Sequence, residues 1–251
     1  DLLRIPPIRV AAKHEVAQVH IPAVEFPIIY EDDALLAVNK PSGTAVHGGS
    51  GVSFGVIEQL RRGRIWLWFR VLVHRLFRET PGVFVVIMER SALTGMHEIM
   101  REGHSDKRYF VLVLGQWKNA RQHVKLPLYK FDSPQGEKRV MVREGGQASH
   151  TIFELKKSWQ GFSLLEAQLK TGRTHQIRVH LAHLGFPIAG DDKYGDFSRN
   201  KVLMKQGLKR MFLHAHSIAF DHPLTGEALS LTAPLPEALE SFIARLDGAE
   251  K

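Results

Sequence analysis

The sequence predicts an α+β domain built on a mixed, largely antiparallel sheet with flanking helices. Three observations carry this. Short apolar or alternating runs rich in β-branched residues recur along most of the chain, and only a few segments have helical periodicity. Strand also follows strand without the regular intervening helix that a doubly wound parallel sheet requires. With 251 residues and 44% hydrophobic content, the chain can bury one good core or two small ones.

The first residues, DLLRIPPIRVAAKHEVAQVHIPAVEFP, are proline-punctuated and weakly periodic. Residues 1–26 read as an arm or linker, and residues 27–251 as one domain. PIIYEDDALLAVNKPSG then gives two strands about a turn at Asp32 and Asp33, ended by the breaker pair Lys40-Pro41. The glycine cluster HGGSGVSFG lacks the Lys-Ser/Thr ending of a nucleotide phosphate loop. Gly49, Gly51 and Gly55 also miss the G-x-G-x-x-G spacing, so the cluster reads as a turn. Ser53 is positioned to cap a helix through Arg62, with Val56, Ile57 and Leu60 on one face, and Ser91 to cap another reaching Arg101.

Between those helices, LRRGRIWLWFRVLVHRLFR carries six arginines and no acid, interleaved with Trp66, Trp68 and Phe69. That mixture suits a surface meeting phosphates and bases, and it equally fits a buried strand with arginines at its ends. Further strands are expected at Gly82 to Met88, Arg108 to Leu114, Ser149 to Leu155 and Ser163 to Leu169. GRTHQIRVHLAHLG, Gly172 to Gly185, predicts one amphipathic helix, with Ile177, Leu181 and Leu184 at i, i+4 and i+7 and Gly185 as its stop. On another face His175 and Arg178 are three residues apart and can serve one site. APLPEALESFIARL predicts a last helix entered through Pro236.

The net charge of +8, with all 14 histidines taken as neutral, favours a polyanionic partner, nucleic acid first, over a basic protein whose lysines serve only solubility. The longest apolar run, Val83 to Met88, is far short of the ~18 residues that span a bilayer, and the start has no signal-peptide pattern, so a cytoplasmic protein with no membrane partner is expected. Zero cysteines exclude disulfides, thiolate zinc sites and cysteine nucleophiles. His175, His180 and His183 raise a metal site, but the first two are five apart on a helix and diverge, so core and RNA-facing roles are the stronger reading. G-x-S-x-G is absent, which removes the serine-hydrolase elbow. What remains is His74-Arg75, Tyr109, Arg173 and Arg178, groups suited to binding an anion or orienting a carboxylate. Singly, Tyr109 reads as a strand residue covering core and Arg178 as a solvated helix position.

Taken together, YEDDALLAVNKPSGTAVHGGSGVSFGVIE, VHRLFRETPGVFVV, the KRY of DKRYFVLV, LKTGRTHQIRVHLAHLGFPIAGDDKYG and FLHAHSIAFDHPLTGE resemble the RluA-type family of RNA pseudouridine synthases, in order, from about Ile5 to the C-terminus. The resemblance implies a central mixed, mostly antiparallel sheet and a long basic cleft. It also implies an upstream RNA-binding domain of the ribosomal-protein type, to which residues 1–26 would be the linker. Its implied partner is ribosomal RNA of the large subunit, and its implied chemistry uses no metal or organic cofactor; a monomer is the default expectation. The family's reaction breaks the uridine N-glycosidic bond, turns the uracil and rejoins it through C5, and it requires one aspartate.

That aspartate is where this chain departs from the pattern. The family motif runs His-Arg-Leu-Asp-Arg-Asp-Thr-Ser-Gly, and this chain reads His74-Arg75-Leu76-Phe77-Arg78-Glu79-Thr80-Pro81-Gly82, so Phe77 stands at the catalytic position. By the resemblance Arg178 would pair with the missing carboxylate, Tyr109 would stack on the uracil, and Arg75 would enter the RNA stack where the base has flipped out. Ile177 would pack near the base, and Arg78, Arg173 and His175 would support the site or meet RNA. A phenyl ring accepts no hydrogen bond from Arg178, and the arginine is then expected to be a partly buried cation without its partner, unless it swings to water or phosphate. Three readings of Phe77 stand: a synthase that lost its acid and kept its cleft, a relocated acid at Glu79 about one strand repeat or ~6–7 Å away, or a misread residue. Pro81 in place of the family's serine and the nearby IWLWFR are further departures around the same site.

Overall fold

The computed structural model describes residues 25–48, 54–63, 71–72 and 76–249. In chain order the elements are β1 (Ile28–Glu31), β2 (Leu35–Lys40), α1 (Val56–Gly63), β3 (Val71–Leu72), β4 (Gly82–Ile87), α2 (Arg90–Glu102), β5 (Asp106–Leu114), β6 (Arg121–Val124), β7 (Leu128–Asp132) and β8 (Lys138–Val142). They continue with β9 (Thr151–Trp159), β10 (Phe162–Leu169), α3 (Gln176–His183), α4 (Phe197–Lys205), β11 (Leu213–Asp221), β12 (Ala228–Thr232) and α5 (Glu237–Ala249). The main sheet runs β1-β2-β4-β11-β5-β10-β9-β6, with β12 added to β11 and β3 to β4, and β7 and β8 form a separate hairpin. Every pairing is antiparallel except β4 with β11. The expected mixed, largely antiparallel α+β architecture is what the chain adopts.

Both faces of the sheet's centre are covered, which explains why β4, GVFVVI, is an unbroken apolar run rather than an alternating one. On one face Leu36, Val38, Phe84 and Val86 pack with Tyr109, Val111, Ile177 and Leu181. On the other, Leu35, Val83, Val85 and Ile87 meet Ala92 and Met96 of α2. Leu112 and Leu114 of β5 reach Leu239 and Phe242 of α5. Each fully buried Leu, Val or Phe adds roughly 1.5–3 kcal/mol relative to exposure, so these strands fix which side chains β5 and α3 present on the first face.

β11 joins the two halves of the sheet, antiparallel to β5 and β12 and parallel to β4 through the single pair Ala215 and Gly82. Gly82 has φ 120°, and a Cβ there would lie 2.0 Å from the Ala215 carbonyl oxygen. Only glycine lets the segment before β4 dock so closely on β11.

Several local expectations need correction. α3 begins at Gln176, not near Gly172, because His175 takes a left-handed φ of 55° and the Gln176 side-chain oxygen accepts from the Arg173 N–H and the Thr171 hydroxyl. α2 is entered from Glu89; Ser91 does not cap it but donates its hydroxyl to the Glu89 carboxylate. α1 begins at Val56, and the expected cap Ser53 and the aromatics Trp66, Trp68 and Phe69 lie outside the described residues. The final helix is entered through Pro236, whose carbonyl accepts from Leu239 and Glu240.

Candidate active site

The first face of the sheet opens into a cavity of about 740 Å³ lined by Tyr109 of β5, Ile177 and Arg178 of α3, Phe77 and Thr80 of the segment before β4, and His175. Its rim carries Arg101, Lys107, Lys170 and Arg173 against, among the described residues, a single carboxylate, Glu102. A second cavity of about 480 Å³ adjoins it, lined by Phe77, Arg78, Glu79, Glu137, Asp192 and Lys193, and again by His175 and Arg178. Phe77, His175 and Arg178 therefore form the boundary between the two. The volume of the first lies within the ~300–1,000 Å³ usual for ligand cavities.

The segment carrying Phe77 is held through its main chain. The Phe77 carbonyl accepts from the Thr80 N–H, closing a turn. The Arg78 carbonyl accepts from the Gly43 N–H at 2.9 Å and from Lys40 Nζ at 3.1 Å, and the Glu79 carbonyl accepts from Ser42 Oγ and Arg210 Nη2. Arg78 itself is exposed and returns Nε to the Gly43 carbonyl at 2.9 Å. Lys40 is fully buried and donates to three carbonyls, those of Pro41, Thr44 and Arg78. Burial lowers its pKa to about 8, with Glu79 opposing and Arg210 assisting. Phe77's ring packs on His175, with centroids 4.6 Å apart and planes tilted by 42°. Thr80 Oγ1 is buried with no hydrogen-bond partner among the described residues.

The opposite wall is held through side chains. Arg178 is buried and not a solvated helix position, and it is not left without a partner. Its Nε and Nη2 donate to Asp191 at 2.8 and 2.6 Å, and Nη2 reaches Asp192 at 3.3 Å. The carboxylate expected from position 77 is thus not what satisfies Arg178, because Asp191 supplies a two-point partner of its own. Asp191 is completely buried and also accepts from the backbone N–H groups of Lys193 and Tyr194. Burial alone would raise its pKa, but the Arg178 bonds and charge, with those two N–H groups, bring it below the ordinary carboxylate value. Arg178 itself lines both cavities.

His175 accepts or donates at Nδ1 to the Tyr194 hydroxyl at 2.8 Å, and Tyr194 O–H in turn receives the Val140 N–H. Burial, then the charges of Arg178 and Lys193, push the His175 pKa down to about 4, so the ring is neutral at pH 7. Tyr109 is buried among core residues and lines the cavity at once; burial pushes its phenol up to about 12, so it holds its proton throughout the neutral range. Ile177 lies buried beside it. Arg173 is exposed at the rim, with Nε on the Ala148 carbonyl.

The structure thus brings together Phe77, Tyr109, His175, Ile177, Arg178 and Arg173 around one cavity, with Arg78 on the adjoining one. Arg75 lies outside the described residues. Glu79 lines only the second cavity, is exposed, and sits 3.6 Å from Arg78. His180, one of the metal candidates, is a core histidine held by Ser149, Thr151 and the Leu126 carbonyl. Among the described residues no group of three or more His, Asp or Glu is arranged to hold a metal ion, and no helix is long and apolar enough to cross a membrane. Sequence reading missed Asp191, Tyr194 and Lys40. The first two stand in the quoted GDDKYG, but their partners are 13 and 19 residues away, and nothing local announces the pairing.

A solved human structure, RNA Pseudouridylate Synthase Domain Containing 4, is similar with TM-score 0.71 and 25% identity, over 88% of this chain and 93% of that one. The chain belongs to the RNA pseudouridylate synthase family, whose profile matches residues 34–183. Curated relatives include the Ribosomal large subunit pseudouridine synthase C of Haemophilus ducreyi, 46% identical over 98% of this chain and 78% of that protein. The protein of the same name in Escherichia coli K12 is 47% identical over 99% of this chain and 80% of its own length. The family expected from the motifs is borne out.

Proposed function

We propose that this chain receives a flipped uridine of large-subunit ribosomal RNA in the cavity of Tyr109, Ile177 and Arg178, and that its conversion to pseudouridine waits on a carboxylate that Phe77 does not supply. The supporting observation is the boundary formed by Phe77, His175 and Arg178. A phenyl ring stands there against His175, Arg178 lines the same boundary, and among the described residues the cavity holding Tyr109 is lined by one carboxylate, Glu102 at its rim. Breaking the N-glycosidic bond develops positive charge on the sugar, which a nearby carboxylate stabilises or captures as nucleophile. A phenyl ring does neither.

In this reading Tyr109 meets the base as a neutral phenol, Ile177 packs beside it, and the rim cations with Arg78 and Arg173 hold the phosphates. Arg75 fills the gap left in the RNA stack. The chain as it stands binds RNA without turnover. Glu79 is the weaker candidate for a relocated acid, because it faces the second cavity and Arg78.

The test is chemical mapping of pseudouridine in large-subunit ribosomal RNA incubated with the Phe77→Asp variant. New pseudouridine confined to a few positions is expected. None, in a folded variant that binds the RNA, would contradict the reading. Turnover by the unaltered chain that Glu79→Ala abolishes would move the acid to Glu79.

A further inference from the structure

Outside the base cavity, the ends of three neighbouring strands gather cations with no acid among them. β6 ends beside Lys125, β9 is entered through His150, and β10 runs out into Lys170. His123 of β6 and His150 lie with Nδ1 and Nε2 3.1 Å apart and ring centroids at 5.2 Å. The His150 backbone is fixed on several sides. Its N–H donates to Thr171 Oγ1, and its carbonyl accepts from the Lys170 N–H and from Gln176 Nε2, while His123 is exposed and His150 half-buried. The patch is continuous with the cavity rim, since Lys170, Thr171 and Arg173 line that rim and Arg173 bonds the Ala148 carbonyl.

The chemistry of the pair follows from its spacing. Two imidazole nitrogens at 3.1 Å share one hydrogen, so one donates and the other accepts. Protonating both sets two N–H donors against each other. Burial, then Lys125, His123 and Lys170, lower the His150 pKa, and no carboxylate offsets them. From α3, buried His180 faces the same side and is itself influenced by His150 and by exposed His183, again with no acid. Such a pair resists its second proton until an oxyanion arrives to accept from both rings.

We propose that His123 and His150, with Lys125 and Lys170, form a proton-linked site for a phosphodiester of the bound RNA, outside the cavity that takes the base. This rests on the RNA reading above. Because bound phosphate stabilises the protonated form of His150, binding takes up a proton, and affinity rises as pH falls.

The test is equilibrium binding of a large-subunit ribosomal RNA stem-loop at fixed ionic strength from pH 8 to 5.5, using the chain, His123→Ala and His150→Ala. The unaltered chain should gain up to about tenfold per pH unit for one linked proton. Both variants should still bind at pH 8 and lose most of that gain. A flat profile in the unaltered chain, or a slope that both variants keep, would overturn the proposal. Inorganic phosphate separates the two sources of the anion: histidine NMR resonances at 123 and 150 should shift with RNA, and a shift with phosphate but none with RNA would also overturn it. Absence of RNA binding at every pH would instead sink the functional reading, and this site with it.

Discussion

The α3 wall of the cavity and the segment carrying Phe77 are fixed by different parts of the chain. On α3, side chains do the holding: Arg178 on Asp191, His175 on the Tyr194 hydroxyl, Gln176 on Thr171 and the His150 carbonyl. In the segment 76–80, the carbonyls of Phe77, Arg78 and Glu79 are bound by Thr80, Gly43, Lys40, Ser42 and Arg210, and the residue-77 side chain adds a ring contact with His175. The shape of the segment is therefore set independently of which side chain stands at 77. Chemistry at that position can be removed or restored without refolding the loop, whereas the α3 wall cannot lose a partner without losing stability.

Four substitutions test that contrast. Asp191→Ala leaves Arg178 an unpaired buried cation and should cost about 3–5 kcal/mol in urea unfolding; a loss below about 1 kcal/mol, the range of ordinary surface pairs, would erase the distinction between the walls. Tyr109→Phe in a Phe77→Asp background should reduce turnover on the order of tenfold, about 1.4 kcal/mol, with RNA affinity unchanged. Loss of RNA binding in that variant would assign Tyr109 to binding alone. Phe77→Ala should cost only about 1 kcal/mol and keep RNA affinity, since the loop's hydrogen bonds remain; unfolding would show that the ring, and not the main chain, holds the segment.

The smallest effect is electrostatic. His175, with its pKa lowered to about 4 against an ordinary value of about 6.5, binds a proton more readily when the chain is unfolded. Its contribution to stability is therefore fully present above about pH 6.5 and is lost as pH falls toward 4, by less than about 1 kcal/mol because the ring is partly exposed to solvent. Phe77→Asp puts a carboxylate beside it, so the His175 pKa should rise and the acid-sensitive window narrow. An NMR titration of the imidazole that shows no upward shift would mean the new carboxylate does not face His175.

Strands buried on both faces are the most plainly legible in the sequence, although half-exposed β1 was expected from its turn and largely buried β11 was not. GVFVVI and the apolar half of DKRYFVLVL announce themselves because burial on two sides demands continuous apolar residues. The β7 strand LYKFD and β8 strand KRVMV do not, since they stand off the main sheet with Tyr129 and Met141 exposed and charges between. That α3 is a helix with Ile177 and Leu181 in the core was legible, but it is not amphipathic, since Gln176 to Leu181 are all buried, and its start was hidden because a left-handed histidine at 175 is a tertiary choice that spacing cannot encode. At the site, the motifs pointed to Phe77, Tyr109 and Arg178. The Asp191 pairing and the carbonyl cage of Lys40 were hidden, because each joins segments that only the folded sheet brings together.

On the proposed function, this cavity lacks one carboxylate for uridine isomerisation. The most direct measurement is release of the C5 hydrogen from uridine-labelled large-subunit ribosomal RNA, run side by side for the unaltered chain and Phe77→Asp. No release is expected from the first and sustained release from the second. Release by the unaltered chain, or none by a folded, RNA-binding Phe77→Asp variant, would contradict it.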